Sequence, residues 1–151
     1  MSEAVLAPVV CTVEIAAPRE RVFELFTIPE RLVEWWSDAA TFEAREGGRI
    51  ELEFEGRGDV TGTVTRFEPP SGLAFTWVRG VAPDIVTQVD VDLTELEDGG
   101  TRVELRHTGW DAVPEDQVAE WRAIHDAGWR HFLGCLVDLA EGRPVDKTWG
   151  P

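Results

Sequence analysis

Between residues 41 and 109 apolar side chains recur at every second position. Ile50, Leu52 and Phe54 alternate with Glu51, Glu53 and Glu55. After Gly56-Arg57-Gly58 the alternation resumes at Val60, Gly62 and Val64. Phe67 then falls out of phase, which predicts a bulge near Arg66. Pro69-Pro70-Ser71-Gly72 reads as a turn into Leu73, Phe75 and Trp77. Ile85, Thr87, Val89, Val91 and Leu93 alternate with Gln88, Asp90 and Asp92. Asp98-Gly99-Gly100 makes the next hairpin, and Val103, Leu105 and His107 continue the apolar face. Period two, with one apolar and one acidic side, is the pattern of antiparallel strands packed on one face.

The flanking segments follow other periods. Residues 9–16 read as a strand with Cys11, Val13 and Ile15 on one side. Ala17-Pro18 opens a helix, since proline suits the first helical position, and Val22, Phe23 and Phe26 form its apolar stripe. Pro29 ends that helix and opens a second short one carrying Leu32, Trp35 and Trp36. Residues 115–141 predict a long helix stopped by Gly142 and Pro144. At 100° per residue, Val118, Trp121, Trp129, Phe132, Leu136 and Leu139 all fall within about 40° of the His125 direction. The expected fold is α+β, a curved antiparallel sheet wrapped around a long C-terminal helix, with two short helices after the first strand.

Length and charge narrow the picture. A chain of 151 residues fits one domain spanning 1–151, with its core at about 9–142 and an extended tail at 143–151. Lys and Arg number 14 against 29 Asp and Glu, a net charge of −15. That excess repels phosphate backbones and anionic lipid head groups, so neither nucleic acid nor membrane is an expected partner. The N-terminus has no basic segment before an apolar run, and Cys11 and Cys135 form no CxxC motif; both fit a cytoplasmic protein. There are seven Trp and no Tyr.

The same order of elements carries five motifs: IAAPRERVFELFTIPERLVEWW, GGRIELEF, GTVTRFEPPSGLAFTW, VELRHTGW and GWRHFLGCLVDLAEG. Together they resemble the helix-grip fold of the START/Bet v 1-like (SRPBCC) superfamily. Within it they are most similar to the activator of heat-shock-protein-90 ATPase homologue family. The resemblance implies a cavity between sheet and terminal helix. Superfamily members bind sterols, lipids, polyketides or plant hormones, and some are cyclases or hydroxylase components. The family's eukaryotic namesake acts on a chaperone. Fold alone does not choose among these.

The expected lining comes from inward positions. The sheet supplies Phe54, Val64, Phe75 and Trp77, then Thr87, Val89, Val91, Leu105 and His107. The helix supplies Trp121, His125, Trp129 and Phe132. This set suits a small hydrophobic or aromatic ligand, and it equally suits a filled core. His107 and His125 are expected to face each other across the cavity, as ligand-orienting groups, as a general base, or as satisfied core histidines. His131 is expected on the solvent side. No metal is expected, because two inward histidines lack an inward carboxylate or thiolate; Cys135 reads as a small buried hydrophobe. No GxSxG elbow or phosphate-cradling loop is present, so no cofactor is expected.

Arg79, at a strand end, either meets an anionic ligand group or is simply solvated. Of Trp35 and Trp36, one is expected at the cavity mouth. Trp110 and Trp149 are further rim candidates, and Trp149 needs cover from this domain or a second subunit. Three functions stay open: a ligand-binding module, an interaction module presenting Glu51, Glu53, Asp90 and Asp92 to a chaperone or a second copy, and a cyclase or hydrolase using His107 or His125.

Overall fold

The computed structural model describes residues 6–149. Seven strands form one curved antiparallel sheet: β1 (Val9–Ile15), β2 (Ala39–Phe42), β3 (Arg49–Phe54), β4 (Gly58–Glu68), β5 (Gly72–Arg79), β6 (Thr87–Glu95) and β7 (Thr101–Thr108). Their spatial order is β1-β7-β6-β5-β4-β3-β2. Helices α1 (Arg19–Thr27) and α2 (Pro29–Trp35) lie between β1 and β2, and α3 (Val118–Ala140) follows β7. This is the helix-grip arrangement the sequence predicts.

Cross-strand register turns the two-residue period into a continuous inner surface. Val9 pairs with His107, His107 with Val89, Val89 with Phe75, and Phe75 with Val64. One row of inward side chains therefore crosses five strands, and each of these residues is buried. On β6 and β7 the intervening residues are exposed or half-buried, so the acidic positions face outward. The register shifts between Val64 and Arg66, the bulge that Phe67 out of phase predicts. It returns Phe67 to an edge contact with Phe23 of α1, ring centroids 5.4 Å apart.

Several boundaries differ from expectation for local reasons. Pro18 sits in extended conformation as the cap rather than the first helical residue, and its carbonyl accepts from the Arg21 and Val22 amides. The long helix begins at Val118, not 115, because the Pro114 carbonyl first closes a turn onto Gln117 and Val118. Ile85 falls in the loop before β6. A 3₁₀ turn at Trp110–Ala112, entered through Gly109 at φ 92°, joins β7 to α3.

The largest departure concerns the tryptophans. Trp35 and Trp36 are 0% and 5% exposed, so neither is a rim residue. Consecutive residues on one helix diverge by 100°, but Trp36 has left the helix (φ −125°, ψ −99°) and its indole stacks on Trp35 at 5.3 Å. Trp110 is likewise fully buried. Its Nε1–H donates to the His107 carbonyl at 3.0 Å.

Candidate functional site

Helical spacing delivers Trp121, His125, Trp129 and Phe132 from α3 toward the sheet. Trp77 meets them from β5, and Trp36 from the end of α2. Trp36 and Trp77 stack at 5.9 Å, and Trp129 lies 5.2 Å from each. These three indoles fill most of the gap between sheet and helix. What remains is an open slot of about 110 Å³ walled by Trp36, Trp77, Trp129, Phe54, Phe132 and Val60. Its rim is made by Arg57, Gly58 and Asp59 from the β3–β4 turn and the start of β4, Arg79 from β5, Ile124, His125 and Gly128 from α3, and Trp149 from the tail.

Five of the expected lining residues border this slot: Phe54, Trp77, His125, Trp129 and Phe132. Val64, Phe75, Thr87, Val89, Val91, Leu105 and His107 do not. They are buried in the packed sheet face, where Phe75 and His107 lie against the indoles. Trp121 is half-buried and stands outside the slot, where its ring carries the Arg79 guanidinium at 5.0 Å.

The two histidines do not face each other across a cavity. Their rings touch edge to face, centroids 5.2 Å apart. Hydrogen bonds define both tautomers. His125 donates from Nδ1 to the Trp121 carbonyl at 2.7 Å and accepts at Nε2 from Trp77 Nε1–H at 3.2 Å. His107 accepts at Nδ1 from Trp129 Nε1–H at 3.0 Å, and its Nε2–H donates to Thr87 Oγ1 at 2.7 Å. The Thr87 hydroxyl in turn donates to the Trp77 carbonyl at 3.4 Å. Each imidazole is therefore neutral, with its single acceptor nitrogen taken by an indole.

Charge is disfavoured at both. Burial lowers His125 to about 4, the Trp121 carbonyl opposes this, and the Arg79 charge adds to it. Burial also drives His107 well below the usual imidazole range, with His125 contributing. A general base needs a free lone pair and a pKa near the working pH. Neither histidine offers both in this arrangement.

The tail closes one side of the slot. Lys147 Nζ donates to the Val33 and Ser37 carbonyls at 2.7 and 3.0 Å, which ties the tail to α2. Trp149 then lies 6.0 Å from Phe132 and stacks on His131 at 6.4 Å. His131 is thus half-buried under the tail rather than solvated, and the cover for Trp149 comes from this chain. Trp149 is at the rim as the sequence reading expects, whereas Arg57 and Asp59 are site residues that periodicity misses, because they sit in a turn and at a strand end. No cluster of three or more His, Cys, Asp or Glu suited to a metal ion occurs among the described residues. No described helix is long and apolar enough to cross a membrane.

A seven-stranded grip around one long helix, with an aromatic slot opening beside it, defines a helix-grip domain. The chain belongs to the family described as Activator of Hsp90 ATPase homolog 1-like protein, whose model matches residues 16–141. Among solved structures it is similar to protein MLL2253 from Mesorhizobium loti, at 25% identity and TM-score 0.77, covering 88% of this chain and 96% of that one. It is also similar to CalU16 from Micromonospora echinospora, at 28% identity and TM-score 0.70, covering 93% and 78%. The Aha1 dimer from Colwellia psychrerythraea shares the fold at 21% identity and TM-score 0.76, covering 89% and 96%. No curated protein matches the chain. Family membership supports a coarse description, a ligand-binding or Hsp90-regulator-like module.

Proposed function

We propose that the chain is one helix-grip domain that binds a small apolar or aromatic molecule in the slot between sheet and α3. The observation that carries this reading is the wall itself. Trp36, Trp77 and Trp129 border an opening, while the indole N–H groups of Trp77 and Trp129 are already bonded to histidine nitrogens. Aromatic walls with two of their three indole N–H groups spent favour an apolar or aromatic guest. At about 110 Å³ the slot is small. A closed cavity of about 150 Å³ holds a benzene, so a one- or two-ring body that projects through the open side fits better than a sterol. The reading includes a cytoplasmic location, supported by two unpaired buried cysteines.

Titration with N-phenyl-1-naphthylamine, followed by quenching of tryptophan emission, tests it. Saturable quenching that is lost on Trp36→Phe/Trp77→Phe substitution supports the slot. No saturable change, together with a crystal structure in which the three indoles close the gap, overturns it.

A second reading, docking on a chaperone or a second copy through the outer sheet face, is favoured by family membership. Of the four outward acids, Glu51 pairs with Arg49, and Arg66 bridges Asp90 and Asp92 at 3.9 and 3.0 Å. Glu53 has no ion pair among the described residues. A chaperone pulldown that Glu53→Lys/Asp92→Lys leaves unchanged would remove this face as the docking site.

A further inference from the structure

Arginines in this acidic chain are mostly neutralised. Arg31, Arg45, Arg49, Arg66, Arg102, Arg106, Arg130 and Arg143 each pair with at least one carboxylate within 4 Å. Among the described residues five arginines, Arg19, Arg21, Arg122, Arg57 and Arg79, pair with none, and the last two stand together. Both line the same slot. Asp59 is on that rim too, but it forms an ion pair with neither, so the rim carries a net positive charge.

The two guanidiniums are also held in similar ways. Arg57 lies over the Trp149 ring at 4.3 Å from its centroid, and Arg79 over Trp121 at 5.0 Å. Stacking uses the flat face of a guanidinium and leaves its edge N–H groups available for a planar acceptor. Arg57 uses one of them to donate to the Trp149 carbonyl. Arg79 is half-buried, and its charge reaches far enough inward to help keep His125 neutral. Inside the slot the Trp77 and Trp129 N–H groups are spent, and the charged groups that could orient a guest are at the rim.

We infer that the guest is an amphipathic carboxylate, its aromatic or apolar body against Trp36, Trp77 and Trp129 and its carboxylate at the rim between Arg57 and Arg79. This rests on the reading of the slot as a ligand site and names the ligand class for it. A neutral guest leaves two unpaired cations beside the mouth. A carboxylate gives each a charge-assisted partner, and Asp59 then disfavours a second negative charge on the guest.

Calorimetric titration of the full chain with 2-naphthoate and with 2-naphthamide separates the ring from the charge. The acid is expected to bind roughly tenfold tighter than the amide, with that preference shrinking as salt rises. In Arg57→Gln the preference falls, and in Arg57→Gln/Arg79→Gln the acid binds no tighter than the amide. Arg57 is exposed, so its single variant reports even if the double variant folds poorly. Equal affinity for acid and amide in the unmodified chain overturns the carboxylate assignment and leaves the slot standing as a neutral site. Binding of neither overturns both.

Discussion

Trp129 of α3 donates its indole N–H to Nδ1 of His107 on β7, 3.0 Å away, with the histidine 0% and the tryptophan 3% exposed. The bond ties the long helix to the sheet through two buried side chains. Its loss leaves a buried acceptor that water does not reach. Trp129→Phe is therefore expected to lower stability by about 1–3 kcal/mol, the cost of an orphaned buried polar group. Urea denaturation measures it. A change under about 0.5 kcal/mol, typical of a surface substitution, would show that the bond contributes nothing net.

Both histidines are held neutral, and this sets an acid sensitivity. The unfolded chain takes up protons near pH 6.5, whereas folded His125 resists until about pH 4 and burial holds His107 well below the usual imidazole range. Depressed folded values mean the unfolded state binds more protons between those limits. Their contribution to stability is complete above about pH 6.5 and declines as pH falls toward 4. His125→Gln should flatten that decline, by on the order of 3 kcal/mol across the interval. Denaturation midpoints at pH 7.5, 6, 5 and 4.5 for both proteins give the difference. Parallel curves would mean that His125 charges freely in the fold.

Much of this architecture is readable from periodicity. Alternation survives in β3 to β7 because one sheet face is buried and the other is wet, and a one-residue slip at Phe67 exposes the bulge. The helix stripe centred on His125 reads equally well, since helical geometry alone aligns it. Periodicity fails where a residue leaves its element. Trp36 is buried through one non-helical backbone step, and Trp110 through a 3₁₀ turn begun at Gly109. His131 faces outward on α3 by angle, but the tail returns over it. Inward phase also cannot tell a cavity wall from a packed floor. Val89 and Trp77 share a face, yet only the longer side chain reaches the slot.

Trp36 touches Trp35, Trp77, Trp129, Phe54 and Phe75. Truncation to alanine removes a large buried surface and leaves a void that these rings only partly fill. Trp36→Ala should cost about 3–5 kcal/mol. The same void enlarges the slot, so a three-ring apolar probe excluded by the parent chain should bind the variant. Denaturation and probe titration read the two effects separately. Collapse of the indoles into the gap would appear as a smaller stability loss with no gain in binding.

Gly128 sits in the middle of α3 where an alanine would ordinarily favour the helix by about 1 kcal/mol. Here a Cβ would lie 3.3 Å from the Trp149 ring, a contact tight enough that the tail has to shift. Glycine at this turn of the helix is the seat of the tail's aromatic. Gly128→Ala is expected to leave global stability within about 1 kcal/mol of the parent, helix gain offsetting lost tail packing. It should, however, loosen the tail selectively. Amide exchange at Val145, Lys147 and Trp149 should quicken while β6 and β7 remain protected, and trypsin should cut after Lys147 sooner. With Trp149 displaced, Arg57 loses the ring it stacks on, so the preference for acid over amide should fall. Unchanged exchange along the tail would mean that Trp149 shifts by a few tenths of an ångström and keeps its seat.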